Sequence, residues 1–440
     1  MRAPAAADRR PRRALLAGGA AVGVLVLVAA AGPAPGASAT AIAPRSSAPV
    51  GVTADAAVAA LDPASQAVLL APLRAAAAAL DHAGRLLMPD AYAGVALDAA
   101  AGRTQLYLTD PALAPGLVAA ARRTDPTLVG DRVTVLRAAY PLTRLDAVSR
   151  AVMTVSDVKA ADAPYAAYPA PDASGVVVEV ADPTDPTELA AARRADARAG
   201  GVPLEPLAGR PRQPHGWDAV KWHDHAPFIG GDVLTTDGHR YCTAGLPAVR
   251  RSDGRAVMVT AAHCFTTGQR VRTGGGATWD YGNGRTGDRV GTVMQRHRGW
   301  DAETVVGADV DGDVSDTSGW RALTGVGYSY RGDYVCHAGA RSASKGHPTP
   351  CGIKVTVDDL WFREAGHTVR GVEGVDVHGW GSVGGDSGGT VFAVEPHGKR
   401  QLRGLVSSGG ADGTADQRRV DWPEAVDIFR AFDLRLDPQT

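Results

Sequence analysis

Gly384-Gly385-Asp386-Ser387-Gly388-Gly389 is the stretch on which the reading of this chain turns. A serine hydroxyl is a poor nucleophile until a nearby base takes its proton and donors hold the resulting oxyanion. Glycines on both sides let the backbone turn tightly, so that successive N–H groups can converge on one point. An ordinary Gly-rich turn has the same composition, so the serine needs a base elsewhere in the chain. Val259-Thr260-Ala261-Ala262-His263-Cys264 supplies it. This short apolar run ends in small residues that would hold His263 rigidly at the edge of a core, where Cys264 can tether it. Any one of the chain's 12 histidines is ordinarily a core or surface residue. The serine segment downstream singles out His263.

Composition agrees with this and excludes other classes. The 440 residues suffice for two or three domains, each with its own core. A net charge of -1 gives no electrostatic reason to expect nucleic acid or an anionic membrane as partner. The cysteines are Cys242, Cys264, Cys336 and Cys351, an even count that favours disulfides in an exported protein. No C-x-x-C pair is present to hold zinc by thiolates. His223-Asp224-His225 has no H-E-x-x-H helix beside it and reads as a solvated turn. Neither a metal nor another cofactor is expected.

Residues 1–39 read as an export signal. Arg9, Arg10, Arg12 and Arg13 precede an almost unbroken apolar run from Ala14 to Ala31, and Ala37-Ser38-Ala39 offers the small residues of a cleavage site. The expectation is an extracellular protein with no stable membrane anchor after cleavage. Residues 40–213 read as a small α+β domain. It has a helix from Pro63 to Ala83 capped by Asp62, and a strand-turn-strand within Tyr92 to Thr109. A strand at Arg132–Leu136, a helix at Thr143–Met153, a strand at Val176–Val180 and a helix at Thr187–Ala199 follow. Leu207 to Trp217 is rich in Pro, Gly and Arg and suits an exposed, cuttable linker. From 214 to 440 the character is all-β, with short strands at Ala256–Thr260, Arg289–Val293, Ile353–Val357, Thr390–Val394 and Leu402–Val406.

The histidine and serine segments together closely resemble the T-A-A-H-C and G-D-S-G-G motifs of the chymotrypsin-like serine proteases, intact and in that family's order. The resemblance points to the bacterial secreted branch, the streptogrisin and α-lytic protease group. Val335-Cys336-His337-Ala338-Gly339 leading to Cys351-Gly352 resembles its V-C-x-x-G … C-G hairpin. Gly404-Leu405-Val406-Ser407-Ser408-Gly409-Gly410 resembles its substrate-binding strand, and Ala226 to Asp232 the start of its catalytic domain. It covers about His223 to the C-terminus.

The resemblance implies two antiparallel six-stranded β-barrels with the active site between them, and disulfides Cys242–Cys264 and Cys336–Cys351. It makes Ser387 the nucleophile, His263 the base, and the N–H groups of Gly385 and Ser387 the oxyanion hole. Ser407, Ser408 and Gly409 would pair with the main chain of a protein or peptide substrate. Asp301, entering Ala302-Glu303-Thr304-Val305-Val306, is the expected third member, although the family more often has a small apolar residue where Glu303 stands. Gly381 occupies the position where trypsin-like enzymes carry an acid, so an apolar or aromatic side chain is expected on the acyl side of the cut bond. Trp380 or Val383 would line that pocket, and Asp376 is the acid that could upset the expectation. Residues 40–213 are expected to be a propeptide that aids folding or blocks the cleft, the alternative being a permanent accessory domain. Ile229-Gly230-Gly231 only partly echoes an I-V-G-G terminus, so insertion of a new N-terminus against Asp386 is not expected. The rival classes are a catalytically silent binding module and another acyl hydrolase such as an esterase. In the esterase pattern the histidine follows the serine; here it precedes it.

Overall fold

The computed structural model describes residues 52–154, 163–185, 201–209, 213–214, 222, 224–275, 284–307, 309–317 and 319–437. The export signal and the expected helix at Thr187–Ala199 lie outside these residues. From Val50 onward the chain is one compact unit.

The region from 224 to 437 is built largely from strands, because Gly-punctuated runs of Val, Thr and Ala suit half-buried pleated segments and not helices. An eight-stranded sheet orders the strands Tyr241–Thr243, Val233–Thr235, Arg270–Gly274, Thr286–His297, Ala302–Gly307, Ala256–Ala261, Leu246–Arg250 and Leu434–Leu436. Its inner face packs Leu234, Met258, Phe265, Val271, Val290, Val293 and Val305 into one core. A second, larger sheet carries Tyr334–Ala338, Cys351–Glu364, His367–Asp376, Thr390–Val394, Arg400–Leu405 and Arg419–Trp422, packed around Val335, Ile353, Val372, Val391, Val420 and Trp422. A third apolar layer, with Leu246, Val257, Phe392, Leu402, Ile428 and Phe429, joins residues of both sheets. The mostly β architecture, preceded by an α+β region, agrees with the expected pair of antiparallel β-barrels. Both hydrogen-bonded paths run beyond six strands because further segments cap their edges, among them the C-terminal Leu434–Leu436 on Leu246–Arg250.

The α+β region follows its local signals closely. Asp62 accepts from the N–H groups of Ala64 and Ser65, and the helix Pro63–Leu87 runs on through Pro72. Strands Tyr92–Asp98, Arg103–Leu108 and Val133–Arg137 form one sheet, and Leu142–Met153 is a helix. The helix Ala114–Thr124 and the strands Ala166–Pro169 and Leu204–Ala208 were not anticipated. They are Ala- or Pro-bearing segments whose periodicity is too short to read.

Among the contacts that fasten this region to the two sheets, two stand out. Ala166 and Ala167 pair with Phe362 and Trp361 of the long hairpin, so Ala166–Pro169 extends the larger sheet. Arg74, on the first long helix, is buried: its Nε meets Asp333 Oδ1 at 2.7 Å, and its guanidinium donates to the carbonyls of Tyr334 (2.9 Å) and Val394 (2.8 Å). Arg403 Nη2 lies 3.3 Å from the other oxygen of Asp333. Removing one member of a buried pair strands the other charge. We therefore expect Arg74→Met, placed in a Ser387→Ala background to prevent self-digestion, to lower the unfolding free energy of the full chain by about 3–5 kcal/mol in chemical denaturation. A loss under about 1 kcal/mol would mean the pair is not what fastens the helix.

Candidate active site

The strand Ala256–Ala261 ends in a turn that delivers His263 to the groove between the sheets, and the disulfide Cys242–Cys264 pins the next residue. His263 Nδ1 lies 2.7 Å from Asp301 Oδ2, and its Nε2 lies 2.9 Å from Ser387 Oγ. A carboxylate can only accept, so Nδ1 carries the proton and Nε2 is left to receive the hydroxyl hydrogen. Such an imidazole can take the serine proton while the carboxylate steadies the charge that forms.

Asp301 is almost wholly buried and sits at φ +37°, ψ +47°, a left-handed conformation uncommon for a residue with a side chain. Its surroundings over-determine it. Oδ1 accepts the backbone N–H of His263 (3.0 Å), Oδ2 accepts Ser407 Oγ (2.6 Å), and its carbonyl accepts the N–H of Ala262 (2.9 Å). The Ser407 hydroxyl, whose part no local pattern signals, belongs to the same network as His263 and Asp301. Ser408 Oγ is likewise spent within the protein, on Asp421 at 3.0 Å.

The turn around the serine is shaped by Gly385 at φ +106° before it and Gly388 at φ +87° after it. A Cβ on Gly388 would lie 2.1 Å from Thr260 Oγ1. Thr243 reaches across from the other sheet and fixes the turn: its hydroxyl donates to the carbonyl of Gly385 and its N–H to that of Ser387, both at 2.8 Å. Among the described residues, the N–H groups of Gly385 and Ser387 donate to no protein acceptor, whereas those of Asp386, Gly388 and Gly389 do. Two unspent donors beside a serine hydroxyl are what an oxyanion requires.

Glu303 is accommodated without disturbing Asp301. It is fully buried, accepts the N–H of Phe265 at 3.1 Å, and pairs with Arg296 at 3.1 Å. Burial, opposed mainly by Arg296, pushes it up to about 8. A second acid, Glu364, carries no local signal in the sequence. The strands Cys351–Glu364 and His367–Asp376 meet in a two-residue turn, Ala365-Gly366, with positive φ at both residues. That tip brings Glu364 Oε1 to 3.8 Å from His263 Nδ1.

No protein-family model and no curated protein matches the chain. Solved structures that resemble it are proteases, bacterial ones and the murine norovirus NS6 protease among them, the last at 15% identity and TM-score 0.28 over 45% of this chain and 96% of its own. They include the Nocardiopsis protease and Thermobifida fusca protease A, each at 23% identity and TM-score 0.37 over 48% of this chain and 98% of theirs. An α-lytic protease homologue, N4, matches at 18% identity and TM-score 0.35 over 47% of this chain and 97% of its own.

Glu364 gives a test of the site's electrostatics. Burial raises its carboxyl from the ordinary 4.5 to about 8, opposed by His263 and reinforced by Asp301 and Asp421. The folded chain thus holds a proton that the unfolded chain releases. The resulting stability is present in full below about pH 4.5 and is lost as pH rises through about 8. Glu364→Gln should therefore gain in melting temperature relative to the parent between about pH 5 and pH 8, and level off above. A difference independent of pH would contradict the burial of this carboxyl.

Proposed function

We propose that the chain is a secreted serine endopeptidase. Ser387 Oγ attacks the peptide carbonyl carbon as its proton passes to His263 Nε2. The C–N bond breaks as that proton goes to the leaving amine, and a water molecule then repeats the sequence on the acyl-enzyme. Asp301 holds the imidazole tautomer, and the N–H groups of Gly385 and Ser387 receive the oxyanion. The observation that carries this reading is the placement of His263 between Ser387 and Asp301 with both ring nitrogens engaged. The disulfides Cys242–Cys264 and Cys336–Cys351 suit an extracellular setting.

The same reading makes residues 40–213 a folding aid and inhibitor that is removed at maturation. In its support, Gln213 and Pro214 pair antiparallel with Gly409 and Ser408. The linker thereby takes the sheet edge assigned to substrate, a case of strand addition from within the chain.

The primary pocket is read as apolar. A Cβ on Gly381 would lie 2.5 Å from the carbonyl of Arg418, which leaves no room there for a carboxylate. Asp376 is buried and already accepts the N–H groups of His378 (2.7 Å) and Trp380 (3.1 Å), and burial raises its carboxyl above the usual range. Substrates with an apolar or aromatic residue on the acyl side fit best.

A fluorophosphonate should label the secreted protein at Ser387. Ser387→Ala and His263→Ala should each lower peptide turnover by about 10⁴-fold or more, with Asp301→Asn comparably severe. Absence of labelling would favour a silent binding module. Labelling with ester but no peptide hydrolysis would favour another acyl hydrolase. A mixed peptide library checks the pocket: dominant cleavage after Lys or Arg, abolished by Asp376→Ala, would overturn the apolar assignment. For the propeptide reading, secreted active protein should begin beyond Pro214; full activity with a start near Thr40 would refute it.

A further inference from the structure

Asp386, next to the proposed nucleophile, is a fully buried carboxylate. A buried charge persists only where donors replace the lost water. A free amino terminus is one way to supply such a donor, but Asp386 is already served from within the chain. The N–H of Ser342 donates to Oδ1 at 2.8 Å, Ser342 Oγ donates to Oδ2 at 2.5 Å, and the N–H of Val383 donates to Oδ2 at 3.0 Å. Trp380 Nε1 donates to Ser342 Oγ at 2.9 Å, which orients the hydroxyl hydrogen toward the carboxylate. The Trp380 ring is stacked on His347 at 3.9 Å.

Ser342 lies on a short segment, Ala340–Ser344, enclosed by the disulfide Cys336–Cys351. The same segment touches the oxyanion turn a second time: Ala340 N donates to Thr243 Oγ1 at 3.2 Å, and that hydroxyl donates to the Gly385 carbonyl. Gly339 allows the close approach, since a Cβ there would fall 2.2 Å from Asp386 Oδ1. The turn that presents the Gly385 and Ser387 N–H groups is therefore braced by one disulfide-closed loop, directly at Asp386 and through Thr243 at Gly385.

We infer that Ser342 is a positioning residue that sets the oxyanion turn through Asp386. This rests on the peptidase reading above. Ser342 touches neither substrate nor the reacting atoms; its effect is confined to the transition state, where the oxyanion appears.

The test uses protein secreted from the full-length chain. Ser342→Ala should lower kcat by roughly 10- to 100-fold with KM within about twofold, and weaken a peptidyl boronic acid by the same factor as kcat. Ser342→Thr, which keeps the hydroxyl, should recover most of the loss. Trp380→Phe, which removes only the donor behind the hydroxyl, should cost a few-fold in kcat. In an Asp386→Asn background, Ser342→Ala should have little further effect, because both changes act on one link. Unchanged kcat in Ser342→Ala, or full additivity with Asp386→Asn, would overturn the inference. Failure of the parent protein to react with a fluorophosphonate would instead bring down the peptidase reading.

Discussion

A buried carboxylate beside an imidazole is the constraint on which the rest of the arrangement depends. Asp301 is almost wholly removed from water. Left alone there, its charge would cost several kcal/mol. Donors from three places offset that cost: the His263 ring, the His263 backbone and the Ser407 hydroxyl. Because Ser407 belongs to the larger sheet and His263 to the smaller one, the network can exist only if the two sheets are held in register. The shared layer of Leu246, Val257, Phe392 and Leu402 supplies that hold. Packing between the sheets and the geometry at His263 are thus one problem, solved together.

The serine turn shows the same dependence from the other side. Its carbonyls are held by Thr243, from a strand of the smaller sheet beside Cys242. Its buried Asp386 is held by Ser342, from a loop of the larger one. A turn with carbonyls pulled one way and a carboxylate pulled another has little freedom left. Its remaining N–H groups point where neither brace reaches. Preorganised donors of this kind need no rearrangement at the moment when negative charge appears.

How much of this could be read in advance follows from the range of the interactions. Gly-Gly-Asp-Ser-Gly-Gly and Thr-Ala-Ala-His-Cys are contiguous, so backbone geometry and chemistry are written in the same few residues. Asp62 as cap, Pro63 at the first turn and the Val176–Val180 strand were legible for the same reason. Thr243, Ser342, Glu364 and the hydroxyl of Ser407 were not. Each is a common residue type with no local pattern, and each acquires its part through a partner 44 to 142 positions away in a fold not yet known. (Thr243 and Gly385 are 142 apart; Ser342 and Asp386 are 44 apart.) Glu303 misled in the opposite direction. A carboxylate in an apolar strand reads as a conflict until Arg296 and the Phe265 N–H appear beside it.

The long hairpin Cys351–Glu364 and His367–Asp376 ties these threads to the N-terminal region. Its Trp361 and Phe362 pair with Ala167 and Ala166, while two and three residues further along the same strand Glu364 lies against His263. An exposed strand edge invites pairing. Here the chain answers that invitation twice from its own N-terminal half, once on this hairpin and once on Ser408–Gly409. The first pairing lies on the strand that ends at Glu364, and the second lies on Ser408–Gly409. Displacing the N-terminal strands would therefore uncover the larger sheet at two places, and the edge at Trp361–Phe362 belongs to the same strand as the carboxyl that faces His263.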